Sequence, residues 1–501
     1  MRAATTVETV ELDHLGPSDA HTSRTTKRVL LVANHPAFNK NMLRWAHVLR
    51  ATPDWVPILI SVSGALEPAV EQMELDRDLT ILYPDSGLGW LTPSDPQSGA
   101  DQPRPAAWIA MKALLRGPLE SLARTALLGA RVLRNVSVMR RQLWYLRRLI
   151  REHDIAAVLL SESSPAYGAT VFVQAARACG IPVITAPIDH FNRADHAEMY
   201  LTDELLGAQK GLKRLVANRY PRWAVTYKDR RILRVHLDLL LAYEWLGWAS
   251  PAPWRMVGAW EDAVAVTSAA MSDFYLGEGL APDLLHVVGS PELDLISKHI
   301  ESSAAERAEL RATLGLPPQR PIILTALVAH HYLHGRPGAE YETYAEMVEG
   351  WVKPLGEITG YSVIVNLHPS QRVEAFEYIE RWGVKICQRD ITALVPLCDI
   401  FVACSSTSRL AIACGTPVVY YDIYRYSSAS PTLAFQGAGG TFTVLDRAGL
   451  VDVMHRLTSD PAFYGEVRAR QQATAAHWGV VDGKSATRLG LLLDALVSRT
   501  P

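Results

Sequence analysis

The chain has 501 residues, of which 49% are apolar and 20% charged, with a formal net charge of −2. That length exceeds one ordinary hydrophobic core and implies two domains. The near-neutral balance argues against nucleic acid as a partner, and no run of about 18 uncharged apolar residues is present to span a bilayer.

Residues 1–26 are polar and aperiodic, which predicts a disordered arm, and they lack the apolar stretch of a signal peptide. KRVLLVANHP (Lys27–Pro36) then reads as a buried strand ending in a turn, and NKNMLRWAHVLRA as the helix after it. WVPILISVSG, DIAAVLLSES and IPVITAPID repeat the strand signal, with the helix SPAYGATVFVQAARACG before the last of them. Short apolar strands alternating with amphipathic helices predict a doubly wound parallel sheet.

The alternation resumes in the second half with RPIILTALVAHH, YSVIVNLHPS, VKICQ, DIFVACSS and TPVVYYD. Between the halves, DAVAVTSAAMSDFYLGEGLAPDLLHVVGSPELD reads as the last strand and helix of the first domain feeding the second. The expected division is 27–280, 281–478 and a closing helix over 479–501. Two α/β domains in series imply a cleft lined by loops from the strands' carboxyl ends.

Two segments, about 104–151 and 204–256, break the pattern and read as basic helical insertions in the first domain. The first carries eleven Lys or Arg against a single Glu120, with Trp108, Trp144 and Tyr145 interleaved. Such a face suits an anionic lipid surface or a lipid-linked acceptor, and equally an ordinary solvated helix. Cys179, Cys387, Cys398, Cys404 and Cys414 sit in apolar contexts without metal-ligand spacing, as expected of reduced thiols in a cytoplasmic protein.

The chemistry concentrates in CSSTSRLAIACGTPVVYYD (Cys404–Asp422). Ser405, Ser406, Thr407 and Ser408 lie where a strand gives way to a helix, and Gly415 closes that helix. Unsatisfied N–H groups and the helix dipole favour an anion there, and one cap needs only one hydroxyl. His368, in NLHPSQ, follows a strand at the same sheet edge and can donate to a phosphate oxygen. His330, His331 and His334 form a polar loop after the first strand of the second half. With no Cys or carboxylate at ligand spacing, they read as lining a phosphate site, and no metal is expected. Gly289 and Ser290, in HVVGSPELD, read either as part of that site or as a turn with a cap.

The order GSPELD, polar His loop, NLHP and CSSTSRLAIACGTPVVYYD resembles the C-terminal domain of GT-B glycosyltransferases, most of all the CDP-glycerol glycerophosphotransferase and bacterial polysialyltransferase group. The matching features are His368-Pro369, Ser405-Ser406 and Gly415-Thr416-Pro417 leading to Tyr421-Asp422, over roughly residues 260–425. The resemblance implies two Rossmann-like domains facing a cleft. It also implies a nucleotide-activated donor (CDP-, CMP- or UDP-linked) as co-substrate, no tightly bound cofactor, and His368 and the serines on its phosphates. A surface-glycan or lipid-linked acceptor and a metal-independent transfer follow by the same analogy, with the protein able to rest on the inner face of the plasma membrane. The non-hydrolysing UDP-N-acetylglucosamine 2-epimerase is a more distant relative. Its phosphate turn is rich in glycine and is followed by a ribose-binding Glu, whereas this chain has Ser406, Thr407 and Ala411.

Within this architecture the first domain supplies a base for the acceptor hydroxyl, on a loop at a strand's carboxyl end. The candidates are Glu162 in LLSESSPAYG and His190 in APIDHFNR, with Asp189 and His35 shaping the acceptor cleft. An epimerase or hydrolase, and a non-catalytic nucleotide-sugar-binding protein, remain the alternatives.

Overall fold

A computed structural model of the chain describes residues 26–499, except 65, 67–68, 71–72, 74–77, 85–87, 91–117, 189, 191, 202, 329–339, 369–370, 426–434 and 436. The expected N-terminal arm, apart from Thr26, lies outside the described residues, as do Asp189, His330, His331, His334 and Pro369.

The first sheet contains β1 (Lys27–Ala33), β2 (Trp55–Ser61), β3 (Thr80–Leu82), β4 (Ile155–Leu160) and β5 (Val183–Thr185). A hairpin of β6 (Ala224–Tyr227) and β7 (Arg230–Leu233) intervenes before β8 (Ala263–Val266) and β9 (Leu285–Val287) complete it. The seven strands run parallel in the order β3-β2-β1-β4-β5-β8-β9. β9 therefore extends this sheet past the boundary expected at 280. Parallel sheets are covered on both faces, and β1 shows why its sequence is apolar throughout. Val29, Leu31 and Ala33 face a core built on the helix Pro36–Leu49, while Leu30 and Val32 face one built on the helices Pro118–Glu152 and Thr170–Cys179.

The second sheet is also parallel. It holds β10 (Ile322–Ala326), β11 (Ser362–Asn366), β12 (Val384–Cys387), β13 (Ile400–Ala403), β14 (Val418–Tyr421) and β15 (Thr441–Val444), in the order β12-β11-β10-β13-β14-β15. The edge strand β15 is not announced by the sequence, because TFTV is short and follows the glycine-rich GAGG.

The chain crosses between the sheets twice, and both crossings meet at one place. Gly289 lies at φ +93°, packed so closely on Ser485 that a Cβ there would collide with the serine side chain. Ser290 then caps the helix Pro291–Glu301, accepting from Leu293 N–H. From that helix Asp294 accepts the Ser485 and Ala486 N–H groups at 2.9 and 3.0 Å, satisfying the start of the closing helix Ser485–Arg499. That helix returns to the first sheet and buries Ala486, Leu489, Leu493 and Leu496 in its core. Each such leucine contributes about 1.5–3 kcal/mol by leaving water.

The region 204–256 is not wholly helical. It contains the hairpin β6–β7, whose turn places Lys228 and Asp229 at φ 44° and 60°. Such a two-residue turn ordinarily announces itself by Asn-Gly, and Lys-Asp gives no such signal. No helix among the described residues is long and apolar enough to cross a membrane.

Candidate active site

In an open parallel sheet, ligands bind where neighbouring strands send their connections to opposite sides. In the first sheet that point lies between β1 and β4. Asn34 leaves β1 there and Glu162 leaves β4. Asn34 Nδ2 donates to Glu162 Oε1 and to Tyr167 O, both at 2.9 Å, and the Ser164 backbone N–H donates to Glu162 Oε2 at 2.5 Å.

Glu162 is fully buried. Burial pushes its carboxyl up to about 8, against the opposing pull of Asn34, the Ser164 N–H and nearby Arg234. Arg234 is itself buried, donating through Nη2 to Ser164 Oγ (2.9 Å) and through Nε to Pro253 O (3.1 Å). Its guanidinium lies 5.2–5.8 Å from the ring centroids of Tyr200, Trp254 and Tyr167. The sequence alone suggests a basic surface run here. The fold instead makes Arg234 the cation behind Glu162.

The equivalent point of the second sheet lies between β10 and β13. Ser405, Ser406 and Thr407 occupy the turn after β13, and Ser405 Oγ and Thr407 Oγ1 share a 2.6 Å hydrogen bond. The helix that follows is short, Ser408–Ala413, and it opens through tight bonds from Ser408, Arg409 and Leu410 N–H to the carbonyls of Ser405, Ser406 and Thr407. Ser408 is the exception within the cluster: it is fully buried, and its hydroxyl has no hydrogen-bond partner among the described residues. Gly415 sits at φ +72°, and a Cβ there would meet Gln472 Cγ at 2.8 Å.

His368 leaves β11, two strands from β13 at the same carboxyl edge of the sheet, and is half-buried. Its N–H donates to Gln371 Oε1 at 2.7 Å and its carbonyl accepts Gln371 N–H at 2.8 Å. Gln371 Nε2 also donates to Val328 O at 3.4 Å, tying the loop after β11 to the loop after β10. Tyr421 of the motif strand is buried and donates to Glu340 Oε2 at 2.7 Å. Ala411, where a ribose-binding acid would be sought, lies in the core beneath the sheet.

The two halves are joined by buried charge. Arg44, on the first-sheet helix Pro36–Leu49, reaches Glu292 Oε1 (3.3 Å) and Asp390 Oδ2 (2.7 Å), and Arg409 reaches the same Glu292 oxygen at 3.1 Å. Burial alone would raise the Glu292 and Asp390 carboxyls. Arg409 and Arg44 hold Glu292 below its ordinary value, and Arg44 does the same for Asp390. Arg409 directly follows Ser408, so this ionic cluster abuts the serine turn.

The remaining expected residues are dispersed. His35 is half-buried beside Asn34, its ring 5.0 Å from that of Tyr167. His190 is buried in the loop after β5, its edge on Phe274 at 5.3 Å. Gly289 and Ser290 serve the domain crossing described above. Arg234, Gln371 and the Arg44–Glu292–Arg409 cluster escape sequence reasoning, since their partners lie far away in the chain. Local sequence gives little signal for them, since Glu162 sits among serines in LSESSP and Glu292 near other charges in SPELDLISK.

No known protein family matches the sequence, and no curated protein does. Solved structures do match. The UDP-GlcNAc 2-epimerase of Neisseria meningitidis bound to UDP-GlcNAc aligns at 12% identity and a TM-score of 0.51, covering 93% of this chain and 100% of its own. A UDP co-structure of MnaA from S. aureus aligns at 11% and 0.51, covering 95% and 99%. A glycosyltransferase from Rickettsia africae ESF-5 aligns at 11% and 0.50, covering 95% and 100%. The chain has the GT-B fold that glycosyltransferases and UDP-GlcNAc 2-epimerases share: two Rossmann-like parallel sheets.

Proposed function

We propose that this protein is a nucleotide-sugar-dependent glycosyltransferase. It moves a sugar, or a sugar-like alcohol phosphate, from a nucleotide-activated donor to an acceptor hydroxyl without a metal ion. The observation that carries the reading is the hydroxyl turn Ser405–Thr407 at the switch point of the second sheet, with His368 on a loop at the same carboxyl edge, two strands away. A diphosphate fits such a turn because small hydroxyl side chains let it approach backbone N–H groups closely.

With a sugar donor, the acceptor oxygen forms a bond to the anomeric carbon as the bond from that carbon to the phosphate oxygen breaks; with an alcohol phosphate, it would bond to phosphorus as a nucleoside monophosphate leaves. His368 and the serine turn stabilise the charge gathering on the departing diphosphate. Glu162 takes the acceptor's proton, and Asn34 positions it; Glu162 is covered in this conformation, so arrival of the acceptor beside Asn34 must uncover it. His190 is the alternative base. Two solved neighbours are structures with UDP-GlcNAc or UDP bound, which favours a uridine donor over the cytidine ones the sequence resemblance implies.

Incubation with UDP-GlcNAc tests the reading. A transferase consumes the donor only with an acceptor present and works in EDTA. Appearance of UDP-ManNAc without an acceptor would make the protein an epimerase instead, a reading that the Neisseria neighbour favours. Binding without turnover under either condition would make it a non-catalytic binder.

Of the acceptors expected, the lipid-linked one is supported by the helix Pro118–Glu152. There Arg131, Arg134, Arg140, Arg141 and Arg148 are exposed beside Trp144 (64% exposed) and Leu133 (55%). The expected result is salt-sensitive flotation with anionic liposomes. Absence of flotation at low salt would reduce the segment to a solvated helix.

A further inference from the structure

Glu261 lies just before β8, is 7% exposed, and has no part in the chemistry proposed above. Its carboxylate accepts five hydrogen bonds. Oε1 takes the Ser163 hydroxyl (2.5 Å), the Thr185 hydroxyl (3.0 Å) and the Gly258 N–H (2.8 Å). Oε2 takes the Ala259 and Trp260 N–H groups, both at 2.7 Å. Two carboxylate oxygens offer about four lone-pair sites, so these donors saturate the group. Ser163 has one hydroxyl hydrogen and spends it on Glu261, since its contact with Met256 O is longer at 3.4 Å.

These bonds tie three places together. Ser163 follows Glu162 in the loop after β4, Thr185 ends β5, and Gly258–Trp260 lead into β8. The Ser163 backbone joins the same knot, its N–H donating to Met256 O at 2.8 Å. The next residue, Ser164, is held by Arg234, whose Nη2 donates to its hydroxyl at 2.9 Å. Both residues after Glu162 are therefore anchored by buried charged side chains from distant parts of the chain. Glu162 depends on that anchorage, because the Ser164 N–H donates to its Oε2.

We propose that Glu261 is a positioning residue for the transfer: acting through Ser163, it fixes the loop that presents Glu162 at the switch point and keeps water from its carboxyl. The proposal rests on the reading of Glu162 as the base. A reacting group misplaced by about 1 Å can lose about 100-fold in rate, so fixing its backbone bears directly on turnover. With Ser163 and Ser164 pinned, the Asn34 side of Glu162 is the one that opens to an acceptor. Burial above all raises the Glu162 carboxyl; Asn34, the Ser164 N–H and Arg234 oppose it, and the Glu261 charge adds to it. Tyr167 and Tyr243 also face Glu162. Glu261→Gln cannot keep the five bonds, because the amide nitrogen is a donor and would face N–H groups.

The test is carbon-13 NMR of the full chain, with glutamate labelled at its carboxyl carbon and titrated between about pH 4 and 10. In the wild type one glutamate should titrate near 8, and Glu162→Gln should remove that signal and so assign it. Glu261→Gln and Ser163→Ala should each lower its midpoint by about one unit or more, because the released loop lets water reach the carboxyl. Ser163→Ala changes no charge, so its shift reports the tie alone. Amide exchange at Ser163 and Ser164 should also quicken at least about tenfold in both variants. Should Glu261→Gln fail to fold, Ser163→Ala carries the test, since it leaves four of the five donors in place. An unmoved midpoint in Ser163→Ala overturns the proposal. That includes the case in which only Glu261→Gln shifts it, since Glu261 would then act by charge alone. If no wild-type glutamate titrates above the ordinary range, the reading of Glu162 as a poised base fails instead.

Discussion

Asn34 Nδ2 donates to Glu162 Oε1 across 2.9 Å, and that bond joins the loops leaving the two central strands of the first sheet. The caged Arg234 flanks it through Ser164. The sheet therefore holds an ionisable carboxyl at its switch point, poised by burial.

Glu162 should dominate the pH behaviour. With its carboxyl pushed up to about 8, kcat/KM is expected to rise with pH and level off above that value, because the base must be ionised. Glu162→Gln should lower kcat by about 100-fold or more and remove the slope. The linkage sign is fixed as well. The unfolded chain ionises near the ordinary glutamate value and the folded one near 8, so the native state holds more protons in between. Stability should be full below the ordinary value and fall by a few kcal/mol as pH rises to about 8. Urea midpoints at about pH 5.5 and 8.5, compared with those of Glu162→Gln, measure this. An equal midpoint difference in both proteins would refute the assignment.

The hydroxyl cluster Ser405–Ser408 should divide three to one, with Ser408 set apart. Ser405→Ala with Ser406→Ala, or His368→Ala alone, should weaken UDP binding at least about tenfold by calorimetry, the loss expected of one or two charge-assisted hydrogen bonds. Ser408→Ala should leave UDP affinity unchanged. It should also cost no stability and add up to about 1 kcal/mol, since it removes a buried hydroxyl that no described residue satisfies. A loss of nucleotide affinity in Ser408→Ala would contradict the division.

Glu292 holds the domains together through Arg44 and Arg409. Glu292→Ala leaves the buried Arg409 without its carboxylate and Arg44 with Asp390 alone, and is expected to cost about 3–5 kcal/mol. Because the cluster spans both sheets, one cooperative urea transition should separate into two. Small-angle scattering should show a larger radius of gyration. A single transition at the wild-type midpoint would mean the pair contributes nothing to domain coupling.

Gly289→Ala should destabilise by about 1–3 kcal/mol, from the positive φ and the close approach of Ser485. The added methyl group would press the closing helix away from Pro291–Glu301, so amide exchange at Ser485 and Ala486 should accelerate. Exchange rates equal to wild type would show that the crossing tolerates a side chain.

The two sheets are legible in the sequence because parallel strands buried on both faces leave long apolar runs, as in KRVLLVA and DIFVAC, separated by helical periods. Gly415 and the hydroxyl turn are legible for local reasons as well: a left-handed helix end and a strand-to-helix turn are written in neighbouring residues. The hairpin β6–β7 is not, because its turn is held in the left-handed region by the pairing of its strands and not by residues that favour it. Arg234 reads as a surface residue for a similar reason. In RRILR nothing distinguishes one arginine from the next, yet Arg231 donates to Ala217 O at a partly buried edge while Arg234 is enclosed by three rings.

Local chemistry in the chain is thus sufficient to assign two doubly wound sheets and to find the hydroxyl turn after β13. The placement of Glu162 behind Asn34, the burial of Ser408, and the meeting of Arg44, Glu292 and Arg409 depend on long-range packing. Residues 128 positions apart for Asn34 and Glu162, and 248 for Arg44 and Glu292, become partners only once the sheets assemble. The Glu162 carboxyl follows the same logic, since its position near 8 is a property of the desolvated site and not of glutamate.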